Sequence, residues 1–205
     1  MKKMLFVFLL FISALSLNAQ LSRHGLVLNG GIGQTETKVD KVGGFWEEYD
    51  YTAGLSAGYR LRFKEPARKS IHYDLDVNVG IKFLSAKSFA AHESGYPSIS
   101  KGKRDDSYVS IGFTGNYSLI KNLYVGLGIE PAYYFNQRLH IAKTNDEIKA
   151  DNNKFDIPVV AKIAYNLKVV EVGVSGKYGL MNVMETPNLK SGKYREIQFS
   201  LFIPF

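Results

Sequence analysis

From residue 24 onward the chain keeps a period of two. Val109, Ile111, Phe113, Gly115, Tyr117 and Leu119 interleave with Ser110, Gly112, Thr114, Asn116 and Ser118. Successive side chains of a strand point to opposite faces, so this segment is a strand with one apolar and one polar face. The same alternation sets Leu55 to Phe63 against Gly54 to Arg62, and Leu75 to Phe83 against Asp74 to Lys82. It recurs around Leu26 to Ile32, Leu123 to Pro131, Phe155 to Tyr165, Val170 to Leu180 and Ile197 to Phe205. Eight alternating segments in all, separated by polar breaks, predict an all-β fold of eight antiparallel strands.

Eight such strands fit a soluble sandwich, a lipocalin-like barrel that binds an apolar ligand in the periplasm, or a transmembrane barrel. The polar face decides among them. It carries charges of both signs inside the strands: Arg60, Arg62, Asp74, Asp76, Lys82, Glu130, Asp156, Lys162, Glu171, Lys177 and Glu196. The same face holds Gly54, Gly58, Gly80, Gly112, Gly126, Gly128 and Gly173. Glycine is wasted on a solvated face but useful in a narrow lumen that a few long charged side chains must fill. Connections also alternate in length. Those around 40–50, 85–106, 136–153 and 183–192 are long, whereas 64–71, 121–122 and 167–168 are short. Short turns on one side and long loops on the other mark an up-and-down outer-membrane barrel.

The amino terminus agrees. Lys2 and Lys3 precede an apolar run from Met4 to Leu17, and Ala19 ends it before Gln20. That is the layout of a secretory signal peptide, which predicts a signal peptide over 1–19 and a barrel domain over 20–205 with both termini periplasmic. No later run reaches the roughly eighteen apolar residues that a helical span needs. Removing Lys2 and Lys3 leaves 24 basic residues against 19 acidic, spread along the chain without a basic run, so nucleic-acid binding is not expected. With no cysteine, neither disulfides nor a lipid-modified cysteine is available.

The alternating strands, the signal peptide and a last strand with Phe199, Leu201, Ile203 and Phe205 at every second position together resemble small eight-stranded outer-membrane barrels of the OmpA/OmpX type. They resemble in particular the PorT-like barrel-domain proteins of Gram-negative bacteria. The resemblance spans the mature chain and is one of pattern, without a diagnostic short motif. It implies a monomer surrounded by outer-membrane lipid, and it makes that final strand the signal read by the barrel assembly machinery. A role in protein secretion does not follow from it.

Pairing across the 64–71 turn places Arg62 opposite Asp74 and Arg60 opposite Asp76, which predicts a ladder of ion pairs inside the lumen. Such charges fill the barrel and fix its register; a conduction path or proton relay is the alternative. Tyr51, Tyr73, Tyr117, Tyr133, Phe135, Tyr165 and Tyr194 sit near strand ends and are expected in the interfacial girdles. Phe45, Trp46, Tyr49 and Tyr96 fall in long connections and are candidates for an external contact.

Signs of catalysis are sparse. His24, His72, His92 and His140 form no ligand spacing, so no metal or other cofactor is expected. Gly30, Gly31 and Gly33 lie in an alternating strand and lack the following Lys-Ser/Thr of a phosphate loop. His92 and Ser94 have the spacing of a base and nucleophile in some outer-membrane lipid A deacylases, but here they fall in a long connection without rigid support. His140, Asp146 and Glu147 read as solvated loop residues. The expected function is a non-enzymatic outer-membrane barrel with a structural or surface-interaction role, at most narrowly conducting. A lipid-modifying enzyme is the alternative.

Overall fold

The computed structural model describes residues 21–39, 45–64, 70–91, 97–141, 147–149, 153–183 and 189–205. They form β1 (Leu21–Val39), β2 (Phe45–Phe63), β3 (Ile71–Ala91), β4 (Pro97–Ile120), β5 (Leu123–Ile129), β6 (Ala132–Ile141), β7 (Glu147–Lys149), β8 (Phe155–Asp156), β9 (Val159–Asn166), β10 (Glu171–Tyr178) and β11 (Leu189–Pro204). Consecutive pairings are antiparallel, and β11 returns to β1 in a register running from Gly25↔Pro204 to Val39↔Leu189. The sheet is therefore a closed ring of eight staves. Strands β5 and β6 share the fifth stave, and β7, β8 and β9 share the sixth.

Proline explains the breaks in those two staves. Pro131 separates β5 from β6, and Pro158 separates β8 from β9 on the neighbouring stave. Each lacks an N–H for the ladder, yet each carbonyl still accepts a neighbour's amide: Ile111 N donates to Pro131 O at 3.0 Å and Glu130 N to Pro158 O at 2.9 Å. The turn between β9 and β10 is tight. Lys168 takes a positive φ of 75°, Leu167 N donates to Val170 O, and Lys168 N donates to the Asn166 side chain.

The staves run longer than the alternation indicates. β2, β3 and β4 have 19, 21 and 24 residues, whereas a tilted strand crosses a bilayer in about 9–11. Much of what reads as long loops is hairpin: Phe45 opposes Ala90, Lys87 opposes Lys101, and Ala91 opposes Pro97. The strict alternation of apolar and polar residues fades in these extensions, but backbone ladders do not need it. Phe45, Trp46 and Tyr49 accordingly begin β2 instead of occupying a loop. His140 and Glu147 likewise form a strand pair, not a loop. Tyr96, Asp146, the His92 and Ser94 pair, and the 1–19 segment lie outside the described residues.

Burial is inverted relative to a soluble barrel. Arg62, Asp74, Asp106 and Asp156 are fully buried, while Leu127, Phe199 and Leu55 are 70%, 62% and 59% exposed. A continuous belt of exposed Leu, Ile, Val and Phe around buried charges needs an apolar surrounding. That arrangement overturns the soluble, lipocalin-like alternative. Among the described residues no helix is long and apolar enough to cross a membrane; strands make the crossing.

Candidate functional site

The inward face is the candidate site, and it is built in tiers. At the end bearing the short turns, the β2–β3 hairpin sets Arg60 opposite Asp76 and Arg62 opposite Asp74, the register expected from sequence. Arg62 Nε and Nη2 donate to the two oxygens of Asp74 at 2.7 and 3.0 Å. Arg60 grips Asp76 in the same two-pronged way at 2.7 and 2.8 Å. Both guanidiniums then reach across the lumen to Glu171 on β10, at 3.0 Å from Arg60 and 2.6 Å from Arg62. Lys162 on β9 donates to Asp74 at 2.8 Å, and Arg62 also donates to the Tyr124 hydroxyl. Three cations thus meet three carboxylates, with both arginines stacked over the Phe202 ring at 5.0 and 5.2 Å.

A second tier lies further along. Lys82 reaches Glu196 at 2.6 Å and Lys177 reaches Glu130 at 2.5 Å. Ser110 donates to Glu130 and Gln198 to Glu196, so each carboxylate is held by a cation and a neutral donor. Lys82 stands over the Tyr194 ring at 4.1 Å, and Tyr108 and Tyr134 complete an aromatic cage around its ammonium. Gly80 makes room for that cage: a Cβ there would sit 2.7 Å from the Tyr108 ring and 2.7 Å from Ser56 Cβ. Between the tiers, a cavity of about 20 Å³ is lined by Asn29, Asn78, Thr114 and Ser175 among others. It has room for about one water molecule.

Towards the long-stave end a third group follows. Arg104 donates to both oxygens of Asp106 at 2.8 and 3.0 Å, and the Tyr194 hydroxyl donates to Asp106 as well. Tyr194, Tyr108, Tyr134, Leu84, Ala132 and Val183 pack into one cluster. Three tyrosine rings meet in the lumen at this height.

Ten of the eleven charges expected on the inward face fall into the two ion-paired tiers. The eleventh, Asp156, is buried there too but differs in its partners: the main-chain amides of Ile157 and Met181 donate to it, not a cation. Tyr194 corrects a second expectation. It faces the lumen, whereas Tyr73, Tyr117, Tyr133, Phe135 and Tyr165 are exposed on the outer face as girdle residues should be. Phe199 on β11 and Phe205, just past its end, are also exposed. Sequence reasoning misses Arg104, Asp106 and the tyrosine cage. The signal was present: Arg104, Asp106 and Tyr108 share the parity of Ser110, and Tyr194 shares that of Glu196. Carrying the alternation past the last apolar residue finds them.

Two histidines have described side chains, and they stay apart. His24 meets the Tyr59 hydroxyl near the short-turn end, and His72 is buried edge-on to Tyr124 with centroids 4.7 Å apart. Among the described residues no three His, Asp or Glu side chains converge as metal ligands.

A family model described as outer membrane protein beta-barrel domain matches residues 18–185. No curated protein sequence matches the chain. Among solved structures, the chain is similar to Neisserial surface protein A, with 9% identity and a TM-score of 0.49 over 90% of this chain and 99% of that one. It is also similar to Ail, the attachment invasion locus protein of Yersinia pestis, at 12% identity and a TM-score of 0.46, over 90% of this chain and all of that one. OprG from Pseudomonas aeruginosa matches at 10% identity and a TM-score of 0.45, over 91% and 96% of the two chains.

Proposed function

The chain belongs to the outer membrane protein beta-barrel domain family, and from that premise we propose that it is a non-enzymatic barrel with a sealed lumen that meets partners through its long outer staves. The observation carrying this reading is the filled interior. Paired charges and a tyrosine cluster occupy the inward face, and the space between the two ion-paired tiers is about 20 Å³. Among the described residues, a lumen so packed leaves little room for a hydrated ion or a substrate.

Orientation follows from stave length. The turns at Lys121–Asn122 and Leu167–Lys168 are too short to project, so they face the periplasm, with both chain ends. The extensions of β2, β3 and β4 then stand outside the cell. In this reading the 1–19 segment is removed after export, and Phe199, Leu201, Ile203 and Phe205 are read during assembly.

The chain has no cysteine, which makes a direct test possible. Lys103→Cys and Lys168→Cys are placed separately and treated with a membrane-impermeant maleimide on intact cells. Lys103→Cys is expected to be labelled and Lys168→Cys protected; the opposite pattern reverses the orientation. Outer-membrane fractionation with heat-modifiable gel migration checks the barrel itself. Lipid A mass spectra with and without the protein are expected to be identical, and an altered spectrum makes the protein an enzyme.

A further inference from the structure

The lipid-facing surface has a dent between bulky side chains on β1, β11, β10, β9 and β5. One row of outward residues runs Ile32, Ile197, Gly176, Ala161 and Leu127 across β1, β11, β10, β9 and β5. The two small residues lie side by side between bulky neighbours. A Cβ at Gly176 would meet nothing within 4 Å. The resulting groove is about 680 Å³ and mostly apolar, and a second groove of about 630 Å³ continues from it past the same Ala161 and Gly176. Volumes of this size lie within the roughly 300–1,000 Å³ of small-molecule sites.

The groove is apolar along its length and cationic at one end. Tyr178 and Arg195 are paired one row further towards the long-stave end, and the Arg195 guanidinium lies 5.2 Å from the Tyr178 ring centroid. The Lys193 ammonium is 5.9 Å from the same ring. Two cations therefore stand on one aromatic ring at the mouth of an apolar groove in the bilayer-facing surface. An acyl chain fits the groove, and a phosphate fits the mouth, where it would accept charge-assisted hydrogen bonds.

We infer that this groove is a binding site for a phosphorylated, multiply acylated lipid, its chains lying along Gly176 and Ala161 and its phosphate at Arg195 and Lys193. Two adjoining grooves sharing one floor give room for more than one chain. Under the orientation proposed above, which this assignment of leaflet rests on, the lipid belongs to the outer leaflet. Binding itself does not depend on orientation.

The test is native mass spectrometry of the full barrel in detergent, titrated with diphosphoryl lipid A and with the same lipid A after removal of its phosphates. The wild type is expected to retain the phosphorylated form preferentially. Gly176→Leu puts a side chain into the groove from a position where an added Cβ meets nothing within 4 Å, and Arg195→Gln with Lys193→Gln removes the charge at the mouth; each is expected to weaken binding by about tenfold. Lys103→Gln, a cation elsewhere on the outer side, is expected to leave it unchanged. Heat-modifiable migration confirms that each variant is folded. Equal binding of the dephosphorylated lipid, an unchanged affinity in either groove or mouth variant, or an equal loss in Lys103→Gln overturns the inference. If lipid A binds as expected but Lys168→Cys proves surface-labelled, the site stands and only the orientation fails.

Discussion

Arg62 and Asp74, twelve residues apart in sequence, are joined across the β2–β3 hairpin by two parallel hydrogen bonds of 2.7 and 3.0 Å, with both side chains fully shielded. Neither charge has water to turn to. The pair therefore holds the hairpin in register: a slip of one residue between the strands would turn one of the two charges to the lipid-facing side.

Removing one partner is much worse than removing both. Arg62→Ala leaves three carboxylates, Asp74, Asp76 and Glu171, facing two cations, Arg60 and Lys162, and the expected loss is about 3–5 kcal/mol. The double replacement Arg62→Met with Asp74→Leu is expected to lose less than either single change. Urea titration of barrels refolded in phospholipid vesicles measures all three.

Charge reversal probes the neighbouring rung. Arg60→Asp faces Asp76 and Glu171 with a like charge and is expected to destabilise by several kcal/mol, on the order of 3–5. Adding Asp76→Arg restores an opposed pair in the same register and should recover part of that loss. If the double variant is no more stable than the single one, the ladder does not operate as a pair.

Two glycines of similar appearance should respond oppositely. Gly80→Ala drives a methyl against the Tyr108 ring and Ser56 and is expected to cost about 1–3 kcal/mol. Gly176→Ala enters open space on the outer face, where a side chain favours extended backbone, and should be neutral or stabilising by up to about 1 kcal/mol. Midpoints of urea unfolding compare them directly.

Among the described residues of the staves, Leu127 is the most exposed large apolar side chain, at 70%. Arginine at this position, between Val125 and Ile129 on the lipid-facing row of β5, is expected to cost about 2–4 kcal/mol. Vesicles with shorter acyl chains should lessen the penalty, because the guanidinium then reaches the interface sooner. An unchanged midpoint in vesicles would mean that this face does not contact lipid.

The plugged lumen predicts electrical silence. In planar bilayers the wild type is expected to show no steady channel current, whereas joint replacement of Lys82, Tyr108 and Tyr194 by Ala removes the ammonium and two rings of its cage and should admit a measurable current. A steady wild-type current would show that the side chains do not seal the barrel.

What the sequence determined by itself was whatever follows from a period of two. The parity of Val109 and Ser110 assigns each to its face, and eight such segments leave few ways to close a sheet. The opposition of Arg62 to Asp74 and Arg60 to Asp76 was equally legible, because a hairpin fixes register locally. The tertiary structure decided contacts made across the lumen. Glu171 meets Arg60 and Arg62 from 111 and 109 residues away, and nothing local specifies that reach. Tyr194 joins the cage instead of the girdle because parity, not nearness to a strand end, decides which way a ring points. Arg104 and Asp106 were hidden for a related reason: beyond the lipid, neither face needs to be apolar, so the strand continues without the contrast that reveals it. The dent at Gly176 and Ala161 also exists only in the closed sheet. Two small residues on strands 15 positions apart in sequence make a groove because the ladder sets them side by side.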